Sequence, residues 1–192
     1  MLDANLFNWA PLVVVLPTIA FLIDWVLTLA GARAVARVSD RWSIEGSYEL
    51  NPAWAAAVDS GRWFNFRAFL VADLLVVLMI AIRLVSELAR LPWAFALAAG
   101  MLLLVQAPTL MNHAANLIMF RDLRDKTAAS GQLTITRRLA LNQAAWLFLR
   151  FAALWLALWV PSQQAFFLGG AIGCVVVGVR FWRLVPGARN PA

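Results

Sequence analysis

The sequence predicts an all-α, polytopic membrane helix bundle of five transmembrane helices, with the N-terminus outside and the C-terminus in the cytoplasm. Three observations predict it. Of 192 residues, 63% are hydrophobic and only 14% charged, a balance far from that of a water-soluble domain. Five stretches are apolar over the roughly 20 residues that a helix needs to cross hydrocarbon with every backbone group paired. The basic residues also fall on one side of the membrane when five spans are drawn.

The spans run over Trp9–Gly31, Ala68–Leu88, Pro92–Phe120, Leu139–Val160 and Gln164–Trp182, so residues 1–192 form a single membrane domain. The start, Met-Leu-Asp-Ala-Asn, lacks the basic region of a cleavable signal peptide, and the first span is expected to be retained. One side of the membrane receives Arg33, Arg37, Arg41, Arg62, Arg67, Arg121, Arg124, Lys126, Arg137, Arg138, Arg180, Arg183 and Arg189, which is 13 of the 16 lysines and arginines. The other side receives Arg83 and Arg90, and Arg150 sits inside the fourth span. The crowded side is expected to be cytoplasmic, in a bacterial-type inner membrane. A net charge of +6 then follows from basic segments facing anionic lipid, and no nucleic-acid partner is expected.

The connection 32–67 carries Trp42, Trp54 and Trp63 among charged residues, as befits a segment lying among lipid headgroups. Within it, Asn51-Pro52 reads as the start of a short helix over 53–58, ended by Asp59-Ser60-Gly61. The connection 121–138, with Ser130-Gly131, reads as an exposed turn, and the tight 161–163 link predicts an antiparallel hairpin of the last two spans. Gly169-x-x-x-Gly173 in the fifth span permits close helix approach, either inside the chain or to a second copy or a partner in a membrane complex. Pro17 and Pro108 are expected to kink the first and third spans. One histidine and one cysteine, His113 and Cys174, exclude a disulfide and a Cys/His zinc site within one chain.

Polar side chains recur inside the spans, where they are costly and by default suggest function. Gln106, Thr109, Asn112, His113 and Asn116 share one helical stripe, as do Asn142, Trp146 and Arg150, and as do Asp24 and Thr28; the second span adds Asp73. By helical rise, Asp24, Asp73, His113 and Asn142 lie roughly 6–12 Å from the cytoplasmic boundary and Arg150 about 18 Å from it. The expectation is a cavity open to the cytoplasm, with Arg150 at its bottom paired to Asp24 or Asp73. The competing reading is that these groups only hold the bundle together.

Asp24-x-x-x-Thr28, then Glu49-x-Asn51-Pro52, then Arg67 at the opening of the second helix resembles an uncharacterised prokaryotic membrane-protein family whose signature is an Asp and a Thr in the first span followed by E-x-N-P. The resemblance covers roughly residues 20–90, and about twenty residues separate Thr28 from Glu49 where fewer would be expected. It implies that Asp24, Glu49 and Asn51 belong to one site; as capping residues, Glu49 and Asn51 would need no such site. Asn112-His113-Ala-Ala-Asn116 is similar to a helix of rhomboid proteases, but the chain has no G-x-S-G serine and no second histidine.

Three function classes remain. The site residues Asp24, Thr28, Glu49, Asn51, Asp73, Asn112, His113, Asn116, Asn142 and Arg150 suit binding or transport of an ion or small polar solute. A noncatalytic subunit of a larger membrane complex is the second class. An inner-leaflet lipid head-group enzyme is the third, with Glu49, Asp24 and His113 as acid, base or ligands of a hard metal. The sequence assigns no cofactor and no catalytic residue.

Overall fold

The computed structural model describes residues 5, 6, 8–125 and 131–185. The chain is a helical membrane bundle with five helical stretches long and apolar enough to cross a bilayer. In order, its elements are α1 (Ala10–Ala36), β1 (Trp42–Ile44), α2 (Pro52–Asp59), α3 (Phe66–Leu88), α4 (Pro92–Leu103), α5 (Gln106–Arg124), β2 (Leu133–Ile135), α6 (Arg137–Ser162) and α7 (Ala165–Arg183).

Local chemistry sets the boundaries. Asn65 Oδ1 accepts from the N–H groups of Arg67 and Ala68 at the start of α3, and Thr136 Oγ1 accepts from Leu139 N–H at the start of α6. Asn51 Oδ1 accepts from Ala53 N–H at 3.2 Å with Pro52 at the first helical position, so the short helix expected from the sequence forms. The third span divides into α4 and α5 at Leu104-Val105. Pro108 explains the break: it has no N–H to give the carbonyl of Leu104, and its ring crowds that same carbonyl. Pro17, by contrast, lies within an uninterrupted α1.

Packing begins with glycine. A Cβ on Gly100 would strike the Phe166 carbonyl, one on Gly169 the Leu97 carbonyl, and one on Gly173 the Met101 carbonyl, so α4 and α7 meet backbone to backbone. The glycine face of the last span is therefore used inside the chain. On its other side α7 carries α6, with Phe148 stacked on Phe181 at 5.8 Å. α1, α3 and α4 join through Ala10, Val13, Val14, Met79, Phe95 and Ala99, a cluster without a polar side chain.

α1 outlasts its neighbours. Trp25 Nε1 donates to the Trp63 carbonyl at 3.1 Å, just before α3 begins, so the remaining turns of α1 project about 16 Å past the start of α3. α5 projects with it. Around these two ends the chain builds a second small core from Val38, Trp42 and Phe120, with Tyr48, Ile44 and Ile135 against it. β1 and β2 pair in parallel there, Trp42 opposite Leu133 and Ile44 opposite Ile135. The 121–138 connection is thus not wholly an exposed turn: its described part contributes a strand, while Ser130 lies outside the described residues. Arg41 finishes α5 by donating to the carbonyls of Leu123 at 3.1 Å and Asp125 at 3.2 Å.

Candidate functional site

Where α1 passes the start of α3, it packs along α5, and the only histidine of the chain meets the first span. His113 Nε2 lies 3.1 Å from Thr28 Oγ1 and 3.2 Å from Asp24 Oδ1. On the other edge of the ring, Nδ1 lies 3.4 Å from the Tyr48 hydroxyl. One helical turn below His113, Asn116 also hydrogen-bonds Tyr48. The sequence brings Asp24 and Thr28 to this place because residues four apart share a face of α1, and His113 and Asn116 likewise on α5.

Protonation states follow from the surroundings. Burial pushes the Tyr48 phenol up to about 12, so it is a neutral O–H group throughout the physiological range. With the Asn116 amide beside the phenol oxygen, the Tyr48 hydroxyl is placed to donate to Nδ1. In the tautomer that accepts this bond, Nε2 carries the hydrogen and faces Thr28 and Asp24. Asp24 Oδ1 is buried and makes no hydrogen bond, the one carboxylate oxygen so placed among the described residues. Its polar neighbour is the His113 Nε2 at 3.2 Å, an ion-pair contact that leaves the buried carboxylate with acceptor capacity to spare.

The loop after β1 closes over it. Glu49 Oε1 accepts from Asn51 N–H at 2.7 Å, and burial raises the Glu49 carboxyl above its ordinary range. Asp24 reinforces that shift, while His113 and Arg137 oppose it. Arg137, at the start of α6, donates to the Leu50 carbonyl at 3.1 Å and so holds this loop from the other side. Arg180 at the end of α7 reaches Asn51 Oδ1 at 3.3 Å. Gly31 makes room for Tyr48: a Cβ there would overlap its hydroxyl and ring. The site is thus built from α1, α5 and the 45–51 loop, with α6 and α7 supporting it.

Of the residues singled out from the sequence, Asp24, Thr28, Glu49, His113 and Asn116 come together, and Asn51 anchors the loop as a helix cap. The others do not join them. Asp73 is exposed on α3, Asn112 is exposed on α5, and Asn142 is half-buried on α6 without a side-chain hydrogen bond among the described residues. The expected pairing of Arg150 with Asp24 or Asp73 is not formed. Asp24 meets His113 instead, and Arg150 is exposed half a turn away from the Leu141, Ala145, Phe148 and Ala152 stripe that α6 buries. The polar stripe of α6 looks outward because its small and apolar side chains fit α7 better.

Sequence reasoning missed Tyr48 and Arg137. Tyr48 is the only tyrosine and immediately precedes Glu49-x-Asn51-Pro52, which was a usable signal. Among the described residues, no three histidine, cysteine or carboxylate side chains are grouped to hold a metal ion, so the hard-metal reading finds no ligand set here. Comparison with protein-family models, with curated proteins and with solved structures gave no match.

Proposed function

We propose that the protein binds a small cation or protonated amine from the cytoplasmic side of a bacterial-type inner membrane, in exchange for a proton. The observation that carries this reading is the buried Asp24 Oδ1, which makes no hydrogen bond and has the His113 Nε2, already engaged by Thr28, as its ion-pair neighbour at 3.2 Å. Such a site has acceptor capacity to offer and no free imidazole nitrogen. Glu49 adds a second carboxyl nearby, held in favour of its protonated form. A bound cation would stabilise both carboxylates, and the displaced proton would leave from Glu49.

The orientation supports the same side. With the basic connections in the cytoplasm, the site lies at the inner boundary, beneath the Trp25, Trp54 and Trp63 layer. The apolar cluster of Ala10, Val13, Val14, Met79, Phe95 and Ala99 occupies the opposite half. Transport would need α1 to separate from α3 and α4 there; binding alone would not. The depth also favours a second reading, action on a lipid head group, because the start of α3 sets the site at headgroup level and His113 with two carboxyls is acid–base chemistry.

The test is to purify the protein gently from its native membrane and identify copurifying ions, small molecules and lipids by mass spectrometry. We expect a cationic solute or amine-bearing head group in the wild type that is lost from a folded Asp24→Asn variant. An identical set of bound species in both proteins would contradict the proposal.

A further inference from the structure

Among the described residues, two charged side chains well inside the spans are unused by the bundle, one of each sign. Asp73 and Arg150 are both exposed on helices that cross the apolar region, and neither makes a side-chain hydrogen bond or ion pair among the described residues. A charge in that position facing lipid costs about 3 kcal/mol at the helix centre, so a partner of opposite sign is strongly favoured.

Their depths match. Thr18 Oγ1 donates to the Ala72 carbonyl, which sets Asp73 beside the level of residues 17 and 18 of α1. Met79 of α3 and Ala99 of α4 belong to the same apolar cluster. α3 and α4 run in opposite directions, so six residues back along α3, to Asp73, correspond to six residues on from Ala99, to Val105. Val105 in turn packs against the cluster of Phe148, Ala152 and Cys174, and Arg150 lies midway in sequence between the first two. Asp73 and Arg150 therefore share one level, that of the Leu104-Val105 break.

Within one chain they cannot meet. α6 packs on α7, α7 on α4, and α4 with α1 and α3, which puts α3 and α6 at opposite edges. Each charge sits in an exposed stripe of helical spacing: Phe69, Asp73, Val77, Ile80 and Leu84 on α3, and Leu139, Gln143, Trp146, Arg150 and Leu154 on α6. These two helices also rise from the same face of the bundle. Copies rotated about the membrane normal keep that direction, so α3 of one copy meets α6 of the next in parallel.

From this complementarity we infer that the occupant of the α3 edge is a second copy of this chain, docked through its α6, with Asp73 of one copy paired to Arg150 of the next. The contact is head to tail, and it generates a ring where the rotation closes. In such a packing Phe69 faces Trp146 and Val77 faces Leu154. The glycines of α7 are already consumed within the chain, Gly169, Gly170 and Gly173 by the α4 segment and Gly178 by α6, and take no part.

The experiment measures the oligomeric state of the full chain in lipid nanodiscs by native mass spectrometry. An oligomer is expected in the wild type. In Asp73→Ala or Arg150→Ala, the concentration needed for half-assembly rises about tenfold, and the double exchange Asp73→Arg with Arg150→Asp restores it. Disulfide crosslinking between Val77→Cys and Leu154→Cys, introduced into otherwise unchanged chains, gives a check that does not depend on the charges and is expected to link neighbouring copies. A monomeric wild type would overturn the inference. So would an oligomer indifferent to both charges, or a different protein captured in place of the second copy.

Discussion

Glu49 sits where burial favours its protonated form. The Asp24 charge adds to that effect, and the Asn51 N–H, His113 and Arg137 oppose it. Because the folded value lies above the ordinary 4.5, the folded state keeps a proton that the unfolded chain has released. The stabilisation is therefore complete below the ordinary value and is lost as pH rises through the folded one. Glu49→Gln keeps the carbonyl oxygen that accepts from Asn51 and removes the charge. We expect its melting temperature in detergent to exceed the wild type's at the upper end of a series from about pH 4 to pH 8, with a flatter profile. Two parallel profiles would mean that the charge of Glu49 contributes nothing to stability. The role of Tyr48 could not be read from its neighbours in sequence, since its partner His113 is 65 residues away and only the packing of α1 against α5 brings them together. Asp24, Thr28, His113 and Asn116 were legible because helical periodicity alone places each pair on one face.

Among the elements, the contact of α4 with α7 tolerates the least change. Gly169 rests on the Leu97 carbonyl, so no side chain fits unless two backbones separate. Gly178 is different: an added Cβ would lie 3.2 Å from the Ala145 carbonyl and 3.3 Å from the movable Leu149 side chain. We expect Gly169→Leu to destabilise the bundle by about 3 kcal/mol or more and Gly178→Ala to cost about 1 kcal/mol or less. Unfolding in a denaturing detergent, followed by circular dichroism, measures both, and equal losses would contradict the backbone-to-backbone packing. The spans themselves were visible in the sequence, because twenty apolar residues leave few alternatives. Two features were not. The direction in which α6 presents Arg150 was misread, since periodicity says which residues share a face but not which face looks inward. The β1–β2 pair was missed because each strand is three residues long and finds its partner some 90 positions away.

At the scale of the whole molecule, the bundle divides into two unlike halves. One half is packed from apolar clusters and glycine contacts, whereas polar side chains gather where α1 and α5 emerge past the start of α3. Fold class and the side on which charge accumulates follow from composition and order along the chain. The chemistry of the site depends on which atoms of three distant segments converge, and that is a property of tertiary structure. His113 gives direct access to it, because it is the only histidine in 192 residues. A protein labelled with nitrogen-15 in histidine and reconstituted in liposomes reports this imidazole alone by NMR. The account predicts a fixed ring with its hydrogen on Nε2 and an unprotonated Nδ1, and a shift of the Nε2 signal on adding ammonium or ethanolamine that is absent in Asp24→Asn. A ring averaged between tautomers and unmoved by either cation would contradict it.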